Sequence, residues 1–245
     1  MIKLERVTRT WQGTKMAWAG LRLIRDPGQL NEVFALADSI QGVDAGVIRQ
    51  MADGFRRHSD GARALRERPR LQLPPLAVLA ALPAGTVGRA FADYLSRNGI
   101  DPSALPRRPS PDELSYVRAH LFETHDLWHV ATGFETDVAG ELGLQAFYLA
   151  QAEGRLPLAI LAIGILNTAG WAFGERQARF DAIARGWLLG KRARPLFGLI
   201  WSERWSQPLA ELRAELGLSL TDVDQMVAVA SGTPAVSDPV LRSVA

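Results

Sequence analysis

Two histidines four residues apart, His125 and His129, stand in the stretch ETHDLWHVATGFETDVAGE. Residues at this spacing share one face of a helix, so the pair presents two imidazole nitrogens to one divalent ion. The residue after the first histidine is Asp126, not the glutamate that a zinc protease places there as its base. Asp126 lies about 100° around the helix from His125, at the edge of the same face, as a third ligand or a nearby base. The pair alone decides little, because histidines fall at this spacing by chance on helix surfaces and in cores. Glu141 changes the balance. A turn opens at Gly133, four residues beyond His129, and a returning helix begins near Asp137, four residues before Glu141. His129 and Glu141 therefore each sit about one turn from the hinge of a helical hairpin and face each other across it. Gly140 and Gly143 flank Glu141 and allow close approach, and Gln145 stands one turn further on, placed to orient a ligand. Taken alone, Glu141 reads as a first-turn acid favoured by the helix dipole. Together, His125, Asp126, His129 and Glu141 offer two nitrogens and up to four oxygens, a set suited to Zn²⁺ and also to Fe²⁺ or Mn²⁺.

Other chemistries fare worse. An adjacent His-Asp pair also marks one class of phosphohydrolases, but these need a further separated His and Asp. Only His58 and His120 remain, neither in a convincing context, and His120 reads as a satisfied or exposed histidine. No glycine-rich phosphate loop follows a strand and no nucleophile elbow is present. There are no cysteines, which excludes disulfides, thiolate ligands, iron–sulfur clusters and a Cys nucleophile. Trp128, inside the motif, reads as a packing residue.

The elements that must position these groups are helical throughout. Asp26-Pro27 supplies a cap and a first-turn proline for a helix over GQLNEVFALADSI. RRHSDGARALRERPR reads as an exposed basic loop and helix end. LPPLAVLAALPAGTVGRAFADYLSRNGIDP gives a short helix, a turn at Leu82 to Gly85, and a second helix stopped by Asn98-Gly99. Ser110-Pro111-Asp112-Glu113 reads as a capping box with Ser110 as the cap, opening a helix that runs through HDLWH to Gly133. Asp137 caps the return helix VAGELGLQAFYLAQA. An apolar helix over 158–173 follows, then ERQARFDAIARGWLLG, ended by Gly190, and the amphipathic QPLAELRAELGL. The fold class expected is all-α: a single-domain multi-helix bundle over 1–230 with a metal site on a helical hairpin, and a flexible tail over 231–245.

The stretch LPLAILAIGILNTAGWAF is about long enough to cross a bilayer, but Pro157 opens it, Gly164 and Gly170 dilute it, and Asn167 and Thr168 interrupt it. It is read first as a buried core helix, second as a helix touching lipid or an apolar ligand, and last as a span. The N-terminus has charges but no following apolar region of a secretory signal. The formal net charge is only +2, so nucleic acid is not the expected partner. Arginine outnumbers lysine, of which there are Lys3, Lys15 and Lys191.

The run H-D-x-x-H, eleven residues, then E, resembles the ubiquinone (coenzyme Q) biosynthesis Coq-four family, in its bacterial type. LPAGTVGRAFADYL before the motif agrees, as do ELGLQAFYLAQ, GKRARPLFGLIW and WSQPLAELRAELGL after it. The resemblance covers roughly 20–220. It implies an α-helical fold and a divalent metal, usually zinc, held by the motif residues His125, Asp126, His129 and Glu141. It also implies a metal-dependent oxidative decarboxylation at C1 of a polyprenylated 4-hydroxybenzoate-derived ring. In this reading the apolar helix buries the prenyl tail. The other role the resemblance carries is a prenyl-lipid-binding scaffold with a structural metal, organising other ubiquinone biosynthesis proteins. A homo-oligomer is expected, cytoplasmic or peripheral on the inner face of the cell membrane. A metal hydrolase unrelated to quinones ranks third.

Overall fold

The computed structural model describes residues 45–102, 107–152 and 155–232. Among them are ten α-helices and no strand: α1 Ala45–Arg56, α2 Ser59–Glu67, α3 Leu76–Ala80, α4 Val87–Arg97, α5 Glu113–Thr132, α6 Val138–Ala152, α7 Arg155–Gly170, α8 Arg176–Arg192, α9 Leu209–Leu216 and α10 Leu220–Ser231. The all-α, single-domain expectation holds. The helix expected over 28–40 and the tail from 233 onward lie outside the described residues. Ser231, placed in the tail by the sequence reading, instead closes α10.

Three boundaries differ from expectation for identifiable reasons. The basic stretch around His58 is not a loop: α2 buries Gly61, Ala64 and Leu65, because Gly61 lets the helix lie against the Phe55 carbonyl, which a Cβ there would meet at 2.2 Å. The cap of α5 is Asp112, not Ser110. The Asp112 carboxylate accepts from the Ser115 N–H at 2.8 Å and the Ser115 hydroxyl accepts from the Asp112 N–H at 3.1 Å, a reciprocal box two residues later than predicted. Ser110 is engaged elsewhere, accepting from Arg70 Nη1 at 2.6 Å, while Arg70 pairs with Glu123 of α5. Finally, α8 runs through Gly190 to Arg192, since Gly190 serves packing against the Phe147 carbonyl of α6 rather than helix termination.

The frame around the motif is set by α6, which packs chiefly against α8 and also against α7. A Cβ on Gly186 of α8 would come within 1.9 Å of the Gly143 carbonyl oxygen of α6, so the two backbones touch there. Opposite them α5 meets α6 through large side chains: Trp128, fully buried, stacks on Tyr148 at 4.3 Å and meets the edge of Phe147 at 5.8 Å. Trp128 thus packs, as expected. The main core continues through α1, α2, α4 and the 196–205 segment, where Phe55 and Phe197 stack at 3.9 Å. An isolated bridge between Thr86 and Pro208 ties the start of α4 to the start of α9.

The apolar helix α7 departs from its expected role as a buried core helix. Its buried residues are Pro157, Leu161, Gly164, Asn167 and Thr168, while Leu158, Ile165 and Leu166 are 55%, 40% and 55% exposed. Asn167 and Thr168 face inward because Arg179 of α8, itself buried, donates to Asn167 Oδ1 at 2.6 Å and to Thr168 Oγ1 at 3.0 Å. Glu175 accepts from the same guanidinium at 2.7 Å. A buried cation requires such partners.

Two predictions follow from this packing. Gly186→Ala gains helix propensity but forces α8 off α6, so a net loss of about 1–3 kcal/mol is expected in urea unfolding; a neutral or stabilising result would refute the backbone contact. His120 is 3% exposed, and burial holds its imidazole down at about 4. The unfolded chain takes up that proton near 6.5 and the folded chain does not. Stability therefore falls as pH drops through this window, by about 3 kcal/mol between about pH 7 and pH 4. His120→Leu removes this share of the acid sensitivity, read as a smaller difference between unfolding free energies at the two pH values.

Candidate metal centre

Helix α5 carries His125 and His129 one turn apart, and its C-terminal end is held by two devices. Gly133 adopts φ +71 and its N–H closes on the His129 carbonyl at 2.8 Å. Arg213 of α9 donates Nε to Ala131 O and Nη2 to Val130 O, each at 2.9 Å, satisfying carbonyls the helix leaves open. The chain then turns through Phe134, and Asp137 caps α6 by accepting from the Gly140 N–H at 2.7 Å. Gly140 and Gly143 permit close approach, though of the turn rather than of α5. A Cβ on Gly140 would meet Glu135 O at 2.1 Å, and one on Gly143 would meet the Phe134 ring at 2.3 Å.

This hairpin brings Glu141 against both histidines. Glu141 Oε1 lies 3.2 Å from His129 Nε2, and Oε2 lies 3.9 Å from His125 Nε2. One donor atom from each of His125, His129 and Glu141 falls within 4.8 Å of the others, the only such trio among the described residues. Asp126 is half-buried and outside that trio; its negative charge still reaches His125, His129, Tyr94 and Tyr148. His120 is not part of the site: its Nδ1 meets the Tyr116 hydroxyl at 3.2 Å.

The ring contacts define which nitrogens face inward. His129 is 1% exposed and its Nδ1 donates to the Phe134 carbonyl at 3.1 Å, leaving Nε2 for the Glu141 side. Nε2 is nonetheless without a hydrogen-bond partner: it is close to Oε1 but not aimed at it. His125 Nδ1 meets the Tyr148 hydroxyl at 3.4 Å, which likewise leaves Nε2 turned toward Glu141. Burial lowers the basicity of both imidazoles. For His129 that effect is outweighed by the hydrogen-bonding proximity and charge of Glu141, so it holds a proton more tightly than usual. For His125 burial wins, reinforced by the neighbouring His129. Burial raises Glu141, but the His129 contact and both imidazole charges pull it below the usual carboxylate range. The opposed directions at His125 and His129 come from one shared carboxylate, which lies nearer His129.

Two tyrosines around this trio were not singled out in the sequence. Tyr148 is seven residues beyond Glu141 on α6, two turns along one face, a spacing that was legible. Its ring lies between Trp128 and His125, parallel to both. Tyr94 comes from α4 and stacks on His129 at 5.6 Å, with a buried hydroxyl that has no partner. Nothing local in the sequence joins it to the motif. The ring-orienting contacts are those of Tyr148 and the Phe134 carbonyl, rather than of the buried Gln145. Burial, then the Asp126 and Glu141 charges, push both phenols well above their usual range.

Comparison with known proteins places this geometry in a family. The family model described as coenzyme Q (ubiquinone) biosynthesis protein Coq4 matches residues 5–222. A mitochondrial ubiquinone biosynthesis COQ4 homologue of Xenopus tropicalis is 30% identical over 213 residues, 82% of this chain and 71% of its own. The mitochondrial ubiquinone biosynthesis protein coq-4 of Neurospora crassa is 32% identical over 208 residues, 82% of this chain and 57% of its own. Thus the chain spans from just over half to about seven tenths of the length of these two relatives. A crystal structure of a Nostoc punctiforme protein assigned to ubiquinone biosynthesis matches with a TM-score of 0.73 and 27% identity, covering 84% of this chain and 98% of that one. With a match over nearly its whole length and the His125–His129–Glu141 hairpin within it, the chain belongs to the coenzyme Q (ubiquinone) biosynthesis Coq4 family.

Proposed function

We propose that this protein acts in ubiquinone biosynthesis as a metal-dependent enzyme, removing the C1 carboxylate of a polyprenylated 4-hydroxybenzoate-derived ring with oxidation at that carbon. The observation that carries the metal is His129 Nε2, buried, unpartnered and beside a carboxylate it does not point at. A buried polar atom left in this way costs free energy that a shared cation removes. His125, His129 and Glu141 would hold the ion, and Asp126 stands at the edge as a fourth donor or a base. The donor set, two imidazoles and a carboxylate, suits Zn²⁺ and equally Fe²⁺ or Mn²⁺.

When bound, such an ion supplies Lewis acidity toward the substrate's carboxylate or the adjacent ring oxygen. The chain's own groups do the rest. His125 and Glu141 are 34% and 32% exposed and form the open side of the site, while His129 and Tyr94 close its back. Three protein donors with one open side favour catalysis over a closed structural site. Asp126 holds or moves a proton at the open edge. Tyr148, stacked between Trp128 and His125, fixes the His125 ring. In the reaction the bond between C1 and the carboxylate carbon breaks, carbon dioxide leaves and a hydroxyl from water is added at C1, the two electrons passing to an oxidant such as dioxygen, which leaves as hydrogen peroxide. Zinc would leave the electron transfer to that oxidant and the activated ring. The polyprenylated precursor and other ubiquinone biosynthesis proteins are the partners in this reading, with a peripheral location at the membrane that holds the precursor.

Protein purified from its host should carry about one divalent ion per chain by native mass spectrometry, and binding should release a proton, since the ion competes for His129 Nε2. Binding should therefore weaken as pH falls. Glu141→Gln should remove most of the metal, and Tyr148→Phe should weaken its binding about tenfold without changing the melting temperature of the metal-free chain. Full occupancy in Glu141→Gln would refute the ligand assignment. Supplied with a prenylated 4-hydroxybenzoate-type substrate and oxygen, the protein should release carbon dioxide, and His125→Ala and His129→Ala should abolish this. Undiminished turnover in these variants overturns the mechanism. Prenyl-lipid binding without turnover by the metal-loaded protein would establish the scaffold instead.

A further inference from the structure

The outward face of α7, the elbow after it and the outward face of α8 form an apolar surface that no other described helix covers. Seven of the eleven large hydrophobic side chains exposed among the described residues fall between Leu158 and Trp187, each 40–62% exposed. Such concentration differs from the scattered exposure of an ordinary surface. On α7, Leu158, Ile165 and Leu166 share a stripe with the exposed Ala162 and Ala169. Trp171 and Phe173 stand at the elbow, where the chain bends by 116°. On α8, Phe180, Ala184, Trp187 and Lys191 recur at the helical period on the exposed side. The buried Arg179 guanidinium accounts for Asn167 and Thr168 pointing inward, but no described element covers the apolar side chains that this rotation of α7 leaves outside.

Charge identifies the occupant. Residues 155–194 contain seven basic and two acidic side chains, a net +5 in a chain of net +2. Both acids are occupied, Glu175 by Arg179 and Asp181 by Gln177 and Ser231, and among the bases Arg185 pairs with Asp224 and Arg194 with Asp60, so the charge this face presents rests on Arg176, Lys191 and Arg192. Arg176 lies 4.5 Å above the Phe173 ring and Lys191 lies 4.7 Å above the Trp187 ring, each an exposed cation beside an exposed aromatic, and Arg192 adds a third exposed cation. Aromatic and basic side chains paired in this way suit the headgroup level of a bilayer, rings at the acyl boundary and cations among phosphates. No single described helix is long and apolar enough to cross a membrane. A second copy using the same face would set this basic group against itself. The chain's own ends do not complement it: residues 1–44 carry six basic and five acidic side chains, and residues 233–245 one of each.

We infer that α7, the Trp171–Phe173 elbow and the Phe180–Trp187 stripe of α8 dock this protein in the plane of an anionic lipid bilayer, with Arg176, Lys191 and Arg192 on lipid phosphates. The docking names the face for the peripheral location proposed above, and it stands independently of the metal centre. The face lies one helix away from that centre: a Cβ on Gly164 of α7 would meet Leu142 Cδ2 at 2.3 Å, next to Glu141 on α6.

The test uses the full chain with vesicles of phosphatidylcholine, alone or mixed with phosphatidylglycerol. Co-flotation is expected with the mixed vesicles and is reduced by salt. Lys191→Ala with Arg192→Ala should weaken binding to mixed vesicles about thirtyfold, and Trp171→Ser with Phe173→Ser at least about tenfold. Brominated acyl chains should quench the tryptophan emission of the unaltered protein, and less so in Trp171→Phe and Trp187→Phe; this arm stands even if the double variants misfold. No co-flotation of the unaltered protein, or co-flotation unaffected by both double variants, overturns the inference. So does a dimer that Trp171→Ser with Phe173→Ser converts to monomer without change in vesicle binding, which assigns the face to a second copy. Vesicle binding is read apart from turnover, so its failure leaves the metal-centre reading intact.

Discussion

Gly143 is the position on which the site's geometry turns. On one side of α6, the space a Cβ would take is filled by the Phe134 ring; on another, the Gly143 carbonyl touches α8 at Gly186. The helix bearing Glu141 is therefore clamped between the hairpin turn and α8 by contacts that tolerate no added atom. Arg185 of α8 reinforces the clamp by lying 4.6 Å over the same Phe134 ring. Because the Phe134 carbonyl also accepts from His129 Nδ1, one residue sets both the spacing of the two helices and the direction of the imidazole. Interiors packed this tightly transmit displacement instead of absorbing it. A shift of α8 would thus reach the His129–Glu141 pair through Phe134.

The electrostatics of the pocket depend on the same enclosure. Buried imidazoles resist protonation, yet a carboxylate beside them draws a proton in, and the two tendencies meet at His129. His129 Nε2 lies 3.2 Å from Glu141 Oε1 without the alignment of a hydrogen bond. Tyr94 and Trp128 bring aromatic surface to the back of the site, and Tyr148 takes the remaining nitrogen of His125. The result is two nitrogens and a carboxylate turned toward one point, with their other hydrogen-bonding atoms already committed. That arrangement is costly to build in a fold unless something occupies the point.

Much of this was legible because it is local. The spacing of His125 and His129, the stop at Gly133, the Asp137 cap and the position of Glu141 are all short-range signals, and helical periodicity converts them into a face-to-face hairpin. What escaped is what the periodicity of one segment does not carry. The α5 cap moved from Ser110 to Asp112 because Arg70, some forty residues earlier, claims the Ser110 hydroxyl. Tyr94 joins His129 only through the packing of α4, and Arg213 reaches the end of α5 from more than eighty residues away. Asp126 illustrates the remaining limit: its place at the edge of the histidine face was readable, while its standing outside the donor trio was not.

The apolar segment exposes a different confusion, between hydrophobicity and burial. A run such as LPLAILAIGIL reads as core because burial is the usual fate of such residues, and Asn167 and Thr168 then read as defects in it. In the folded chain those two are buried along with Pro157, Leu161 and Gly164, since the Arg179 guanidinium needs oxygen partners and α7 supplies them. Satisfying that cation fixes the rotation of α7 about its axis. Once the polar pair points inward, Leu158, Ile165 and Leu166 have only the outside left to them. The exposed apolar face is thus the geometric counterpart of a buried arginine, and a side chain on α8 determines what α7 presents to its surroundings.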